Sequence, residues 1–315
     1  MASGLGQVSA MTALTTIFRP LVKAPLMTYI EAMRSIEDAL IIPDVMEFAL
    51  ITLETAEDQK QFGTLRDDPL SVDGVAFFMT YSAEATHPPL YKDMNDKCYD
   101  HDRSKVVPYG PFIVATVKYM AQIEAYPNDT VFRGVKADLR AEYPKGRKIV
   151  WHGFCSTTKS AEVLSNPQFC GETGKRTIFT IKLTQGQARE ITRYSLVASE
   201  DEVLLPPGCR FEVESVLPQG DLTLIQLREL PSSQWILDLR TTSEVAGGAA
   251  ASMGGGATGL VSGGLGMVPA MTAAQPSEGT RELQVMVLLL LSPQHELSPQ
   301  HHTINLNCDV VVDVA

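Results

Sequence analysis

No apolar run in this sequence is longer than seven residues: the longest, Val285 to Leu291, falls far short of the roughly 20 that a membrane-spanning helix needs. A transmembrane segment is not expected. Cysteine is scarce too. The five, Cys98, Cys155, Cys170, Cys209 and Cys308, are an odd number without close paired spacing, which fits free thiols better than a disulfide framework or a zinc site. That usage points to a reducing, cytoplasmic setting. Positive charge is in deficit, 26 Lys and Arg against 37 Asp and Glu for a net −11. The molecule as a whole repels polyphosphate, so a nucleic-acid partner is not expected, and any site for an anionic ligand must be locally basic. The first 30 residues hold no acid and only Arg19 and Lys23 as bases. No charged stretch there precedes an apolar one, so a secretory signal is not expected; a mitochondrial presequence is the alternative.

What is present suits a folded chain. Hydrophobic residues make up 44% and charged residues 20% of 315, ordinary values for one or two globular domains. Up to about residue 125 the pattern is helical. Ile113, Val114, Val117, Met120, Ala121 and Ala125 recur at helical spacing behind Pro111, and Leu90, Tyr91, Met94 and Cys98 suggest a shorter helix. From Thr130 the period becomes two. Strands are expected over Thr130 to Val135, Lys148 to Thr157, Arg176 to Leu183, Arg189 to Tyr194, Arg210 to Leu217 and Leu222 to Arg228. Helices followed by strands argue for an α+β fold. Residues 1–26 read as an extension and 27–240 as one domain, helical to 125 and β from 126. The piece from Ala246 to Gly266 has nine glycines among 21 residues, so 241–280 is expected to be a flexible linker and 281–315 a low-complexity tail.

Three local groups in the β half could carry chemistry. Arg133 stands in a short strand beside Gly134. It fits an edge arginine snorkelling to solvent, or an anion clamp whose planar fork meets phosphate while Gly134 lets the ligand approach the backbone. Ser156 closes the strand that begins at Lys148. It ends a strand before a turn, or it orients a neighbouring carboxylate. Glu200-Asp201-Glu202 runs into an apolar strand, with Glu200 and Glu202 on one face by alternation. It is a solvated acidic loop, or its carboxylates serve a cationic substrate or an oxocarbenium-like transition state. Gly171 to Gly174 lacks the setting of a phosphate loop, and His295, His301 and His302 give no metal-ligand pattern.

In this order and spacing, Arg133, Ser156 and Glu202 resemble the arginine-specific mono-ADP-ribosyltransferases, whose site combines an Arg, a Ser-Thr-Ser type strand and a Glu-x-Glu pair. The resemblance covers roughly Pro89 to Leu230, including Val131 to Leu139, Trp151 to Thr158, Asn166-Pro167-Gln168-Phe169, Tyr194-Ser195 and Glu202 to Pro206. Thr158 departs from it, where many members carry serine, and keeps the hydroxyl. His152-Gly153 looks superficially like the opening of the poly-ADP-ribosylating branch, but Arg133 and the Ser156-Thr157-Thr158 run argue against that assignment. The resemblance implies a helical part on a two-sheet, mostly antiparallel core, with NAD as co-substrate, NADP as an alternative, and no metal. It implies that Arg133 holds the phosphates, Gly134 presents backbone to the nicotinamide amide, and Phe169 stacks on nicotinamide. Ser156 would orient Glu202, the principal catalytic residue, Glu200 would receive the acceptor guanidinium, and Tyr194 to Ser199 would meet the target protein. The partner implied is a protein with an accessible arginine. NAD glycohydrolysis, or NAD or ADP-ribose binding without reaction, are the alternatives.

Overall fold

The computed structural model describes residues 10–167, 170–196 and 201–240. Among them, six α-helices precede eight strands. The helices are α1 (Ala10–Lys23), α2 (Tyr29–Glu37), α3 (Val45–Gln61), α4 (Val72–Tyr81), α5 (Leu90–Tyr99) and α6 (Gly110–Met120). The strands are β1 (Thr130–Val135), β2 (Lys148–Trp151), β3 (Cys155–Thr158), β4 (Arg176–Lys182), β5 (Arg189–Glu190), β6 (Glu202–Leu205), β7 (Cys209–Gln219) and β8 (Leu222–Leu230). The α+β order expected from the change of period is the order observed. The expected linker and tail lie outside the described residues.

Local signals start the helices. Thr28 accepts from the Glu31 N–H at 3.3 Å while its own N–H donates to Glu31 Oε2 at 2.9 Å, a reciprocal cap that opens α2. Ser71 caps α4, and Pro111 stands in the first turn of α6, where a missing N–H costs nothing. The helices close over an aromatic centre. Tyr29 and Phe77 meet edge-on at 5.3 Å between centroids, and Phe77 and Phe112 lie 5.1 Å apart. Met11, Leu14 and Phe18 of α1 are fully buried in the same core.

The strands differ from expectation first in how they assemble. In place of two sheets there is one hydrogen-bonded sheet, ordered β2-β7-β8-β4-β1-β3-β6-β5. All neighbours run antiparallel except β4 and β8. The reason the sheet reads as two is its seam. β1 pairs with β4 from Thr130 to Val135, but with β3 only at Phe132 and Thr158. Five strands therefore lie on one side of that pair and three on the other.

The single strand expected over Lys148 to Thr157 is interrupted at the residues that cross between these groups. β2 pairs with β7, whereas β3 pairs with β6. Between them the His152 N–H donates to the Tyr99 hydroxyl at 3.1 Å, and the Phe154 N–H to Asn95 Oδ1 at 3.0 Å. Side chains of α5 thus satisfy the backbone where the ladder is lost. A Cβ at Gly153 would sit 2.6 Å from Asn95 Oδ1, so this crossing needs glycine. His152 stacks on Tyr99 with centroids 5.1 Å apart, which spends the imidazole on packing.

Helices and sheet are joined by Arg189, whose side chain is fully buried. Its Nε donates to the Met120 carbonyl at the end of α6 at 2.9 Å, and Nη1 to the carbonyls of Gly186 and Ala188 at 2.9 and 2.8 Å. A cation suits the negative end of a helix. The strand expected from Arg189 to Tyr194 is only two residues long, because the chain turns into a 3-10 helix at Thr192–Tyr194. Among the described residues no helix is long and apolar enough to cross a membrane, and no group of three or more His, Cys, Asp or Glu is placed to hold a metal. Cys98, Cys155, Cys170 and Cys209 are buried.

Candidate active site

β3 and β6 lie side by side, with Ser156 opposite Leu204 and Thr158 opposite Glu202. Val203 and Leu205 belong to the core on one face of the sheet, and Leu204 to the helical core on the other. Alternation therefore sends Glu202 and Ser156 to the same, helical side. There the Ser156 hydroxyl donates to Glu202 Oε1 at 2.5 Å. The Glu202 carbonyl accepts from the Ile191 N–H at 3.0 Å, which fixes its backbone from the β5 side.

Glu202 is 3% exposed, and its second oxygen, Oε2, is buried without a hydrogen-bond partner among the described residues. Burial pushes its carboxyl up to about 7, with the Ser156 hydroxyl pulling the other way. Leaving such an oxygen unsatisfied costs on the order of 1–3 kcal/mol, which a ligand hydroxyl would recover. The group thus combines a carboxyl raised towards neutrality with a buried oxygen that lacks a partner among the described residues.

Arg133 stands on β1 opposite Phe179 and is 6% exposed. Its Nη1 donates to the Ser156 carbonyl at 2.7 Å. The arginine, serine and glutamate singled out from the sequence are thus brought together. The reading of Arg133 as a surface arginine does not hold, because its guanidinium is buried and anchored on β3.

Gly134 makes room for a neighbouring segment. The position a Cβ would take lies 2.6 Å from Cys170 Cβ and 3.3 Å from Leu164, so the space on that side is filled by protein. Its backbone lies on β1 past the seam, where the outer edge has no strand partner among the described residues.

Glu200 and Phe169 lie outside the described residues. Asp201 has φ of 49°, the left-handed region. Of the stretch expected to meet the target protein, residues 197–199 lie outside the described residues, and Tyr194 is turned inward. It is buried, its hydroxyl bonds both Asp68 oxygens at 3.1 and 2.9 Å, and its ring stacks on Phe78 at 5.5 Å. The Leu196 N–H then donates to Ser82 Oγ at 3.1 Å. Asp68, Arg189 and Lys159, which hold this region, were missed from the sequence. Each is a charged residue in a polar stretch, and no spacing distinguishes one that bonds backbone or bridges loops from one in solvent.

A sequence model described as NAD:arginine ADP-ribosyltransferase matches residues 69–234, more than half of the chain. The chain belongs to that family, and so to the ADP-ribosyltransferases that use NAD. Solved structures similar to it include ADP-ribosyltransferase Vis of Vibrio splendidus in complex with agmatine, 21% identical, covering 57% of this chain and 85% of that one, TM-score 0.43. HopU1 of Pseudomonas syringae pv. Tomato is 18% identical over 57% and 87%, TM-score 0.46. The type III effector XopAI of Xanthomonas axonopodis pv. citri is 16% identical over 70% and 100%, TM-score 0.48. All three scores lie below 0.5, and the assignment rests on the sequence match. No curated protein matches.

Proposed function

We propose that this chain transfers ADP-ribose from NAD to an arginine side chain of a protein, releasing nicotinamide. The observation that carries the reading is the Ser156–Glu202 pair, a buried carboxylate held on one oxygen and without a partner for the other among the described residues. With Oε2 on the ribose 2′-hydroxyl, Glu202 stabilises the positive charge that develops at the ribose C1′ as its bond to the nicotinamide nitrogen breaks. Nicotinamide leaves with the bonding electrons. A guanidino nitrogen of the acceptor then attacks C1′ from the opposite face, loses a proton, and inverts the linkage from β to α. Arg133, anchored at Ser156, supplies positive charge for the NAD phosphates in a molecule that is otherwise acidic. Glu200 receives the guanidinium, and Phe169 stacks on nicotinamide; both roles come from the family resemblance alone. A reducing, cytoplasmic setting accompanies this reading.

The test is incubation of the full chain with labelled NAD and agmatine, beside Glu202→Gln and Glu200→Gln, scoring nicotinamide and labelled agmatine separately. Labelled agmatine from the wild type and not from Glu202→Gln is the expected result. Glu200→Gln should lose transfer and keep part of the hydrolysis. Nicotinamide without labelled acceptor would reassign the chain as a glycohydrolase, and NAD bound but intact would make it a binding module.

A further inference from the structure

We infer that Lys159 is a positioning residue for the acceptor side of this site, deciding how ADP-ribose divides between a guanidino acceptor and water. The inference rests on the transferase reading above and extends it to a residue outside the Arg133, Ser156 and Glu202 constellation.

Lys159 follows the last residue of β3 and is bonded to the neighbouring segment twice over. Its N–H donates to the Asp201 carbonyl at 3.1 Å, prolonging the β3–β6 ladder by one step. Its Nζ lies 2.6 Å from Glu190 Oε1 on β5 and 3.2 Å from Asp201 Oδ1. One ammonium thus ties together β3, β5 and the residue before Glu202. Asp201 needs that support, because a left-handed φ of 49° is an unfavourable conformation for a residue with a side chain. The bend at Asp201 sets the direction in which the chain enters β6, and Glu202 is the first residue of that strand.

Charge makes the second argument. Glu190, Glu200, Asp201 and Glu202 are four acids within 13 residues. A cationic guanidinium approaching this edge is attracted to every carboxylate that lacks a partner. Lys159 occupies Glu190 and Asp201, and so removes two competitors from the binding of the acceptor. The Glu190 and Asp201 side chains are 41% and 39% exposed, and Lys159 35%, so the cluster stands in solvent beside the buried site. Ion pairs this exposed add little to stability, so their loss leaves the protein folded.

The experiment measures the ratio of labelled agmatine to hydrolysed NAD, with KM for agmatine and kcat resolved, for wild type, Lys159→Met, Lys159→Arg and Asp201→Asn. Lys159→Met is expected to raise KM for agmatine about threefold to tenfold and to lower the ratio correspondingly. Lys159→Arg should restore it. Asp201→Asn, which tolerates the left-handed conformation, should shift the ratio in the same direction, and the Lys159→Met/Asp201→Asn double variant should add little to either. An active wild type whose ratio is unchanged in Lys159→Met, with both reactions falling together, overturns the inference and leaves the transferase reading standing. A wild type that hydrolyses NAD without labelling agmatine overturns both, before any substitution is made.

Discussion

Two glutamates are buried in the sheet, Glu202 on β6 and Glu229 on β8, and they differ in what meets their oxygens. Glu229 Oε2 accepts the N–H groups of Thr184 and Gln185 at 2.7 and 2.9 Å, closing the end of β4 onto β8. Glu202 has a single hydroxyl on one oxygen, and its other oxygen has no partner among the described residues. Burial raises both carboxyls. What separates them is that backbone donors complete one site, while the other keeps an oxygen without a donor among the described residues. A buried acid is common to structural and reacting positions; an incomplete hydrogen-bond shell is not.

The comparison breaks most clearly under paired substitution. Glu202→Gln should lower nicotinamide release by about 10² to 10⁴. Glu229→Ala should leave the rate per folded molecule within a small factor and lower Tm, because the two backbone N–H groups that share Oε2 lose their acceptor, a cost of about 1–3 kcal/mol. Kinetics and thermal melts on both proteins check this, and interchanged outcomes would reverse the roles given to the two residues. Arg133→Lys should raise KM for NAD roughly tenfold or more, since a point charge cannot both hold the Ser156 carbonyl and present a fork to phosphate.

Stability against pH sharpens the contrast further. A carboxyl raised from 4.5 to about 7 binds its proton in the folded state where the unfolded chain has released it. Stability from this group is therefore whole below 4.5, falls as pH rises towards 7, and stays reduced above it. Glu202→Gln removes that slope, so its stability relative to wild type should improve by roughly 3 kcal/mol between pH 4 and pH 8. Denaturant melts at the two pH values measure it, and parallel curves would show that the carboxyl is not raised. The smallest effect concerns Ser156. Its hydroxyl favours the ionised form, so Ser156→Ala should move the ascending limb of kcat/KM against pH to higher pH, from a midpoint near 7 in the wild type.

Much of this arrangement was legible in the sequence, because the chemistry-bearing residues sit on strands whose alternation survives folding. β1 has the bounds its pattern predicts, and Ser156 and Glu202 meet across adjacent strands. The crossing at His152-Gly153-Phe154 was hidden, since a strand that changes partners keeps the same alternation on both sides of the break. Nor could spacing show that the room at Gly134 belongs to Cys170, which depends on a turn folding back over β1. Arg189 was invisible for a related reason. Its partners are carbonyls, and any sequence supplies those.

The seam at Phe132 and Thr158 has a consequence for motion. A ladder of six pairs between β1 and β4 opens only with the fold, whereas one pair between β1 and β3 can part while the strands on either side stay intact. Deuterium should therefore enter the amides around Thr158 sooner than those of β4. A dinucleotide gripped by Arg133 on one side and Glu202 on the other would act as a clasp across the gap, slowing that exchange and coupling the two groups of strands only while the substrate is held.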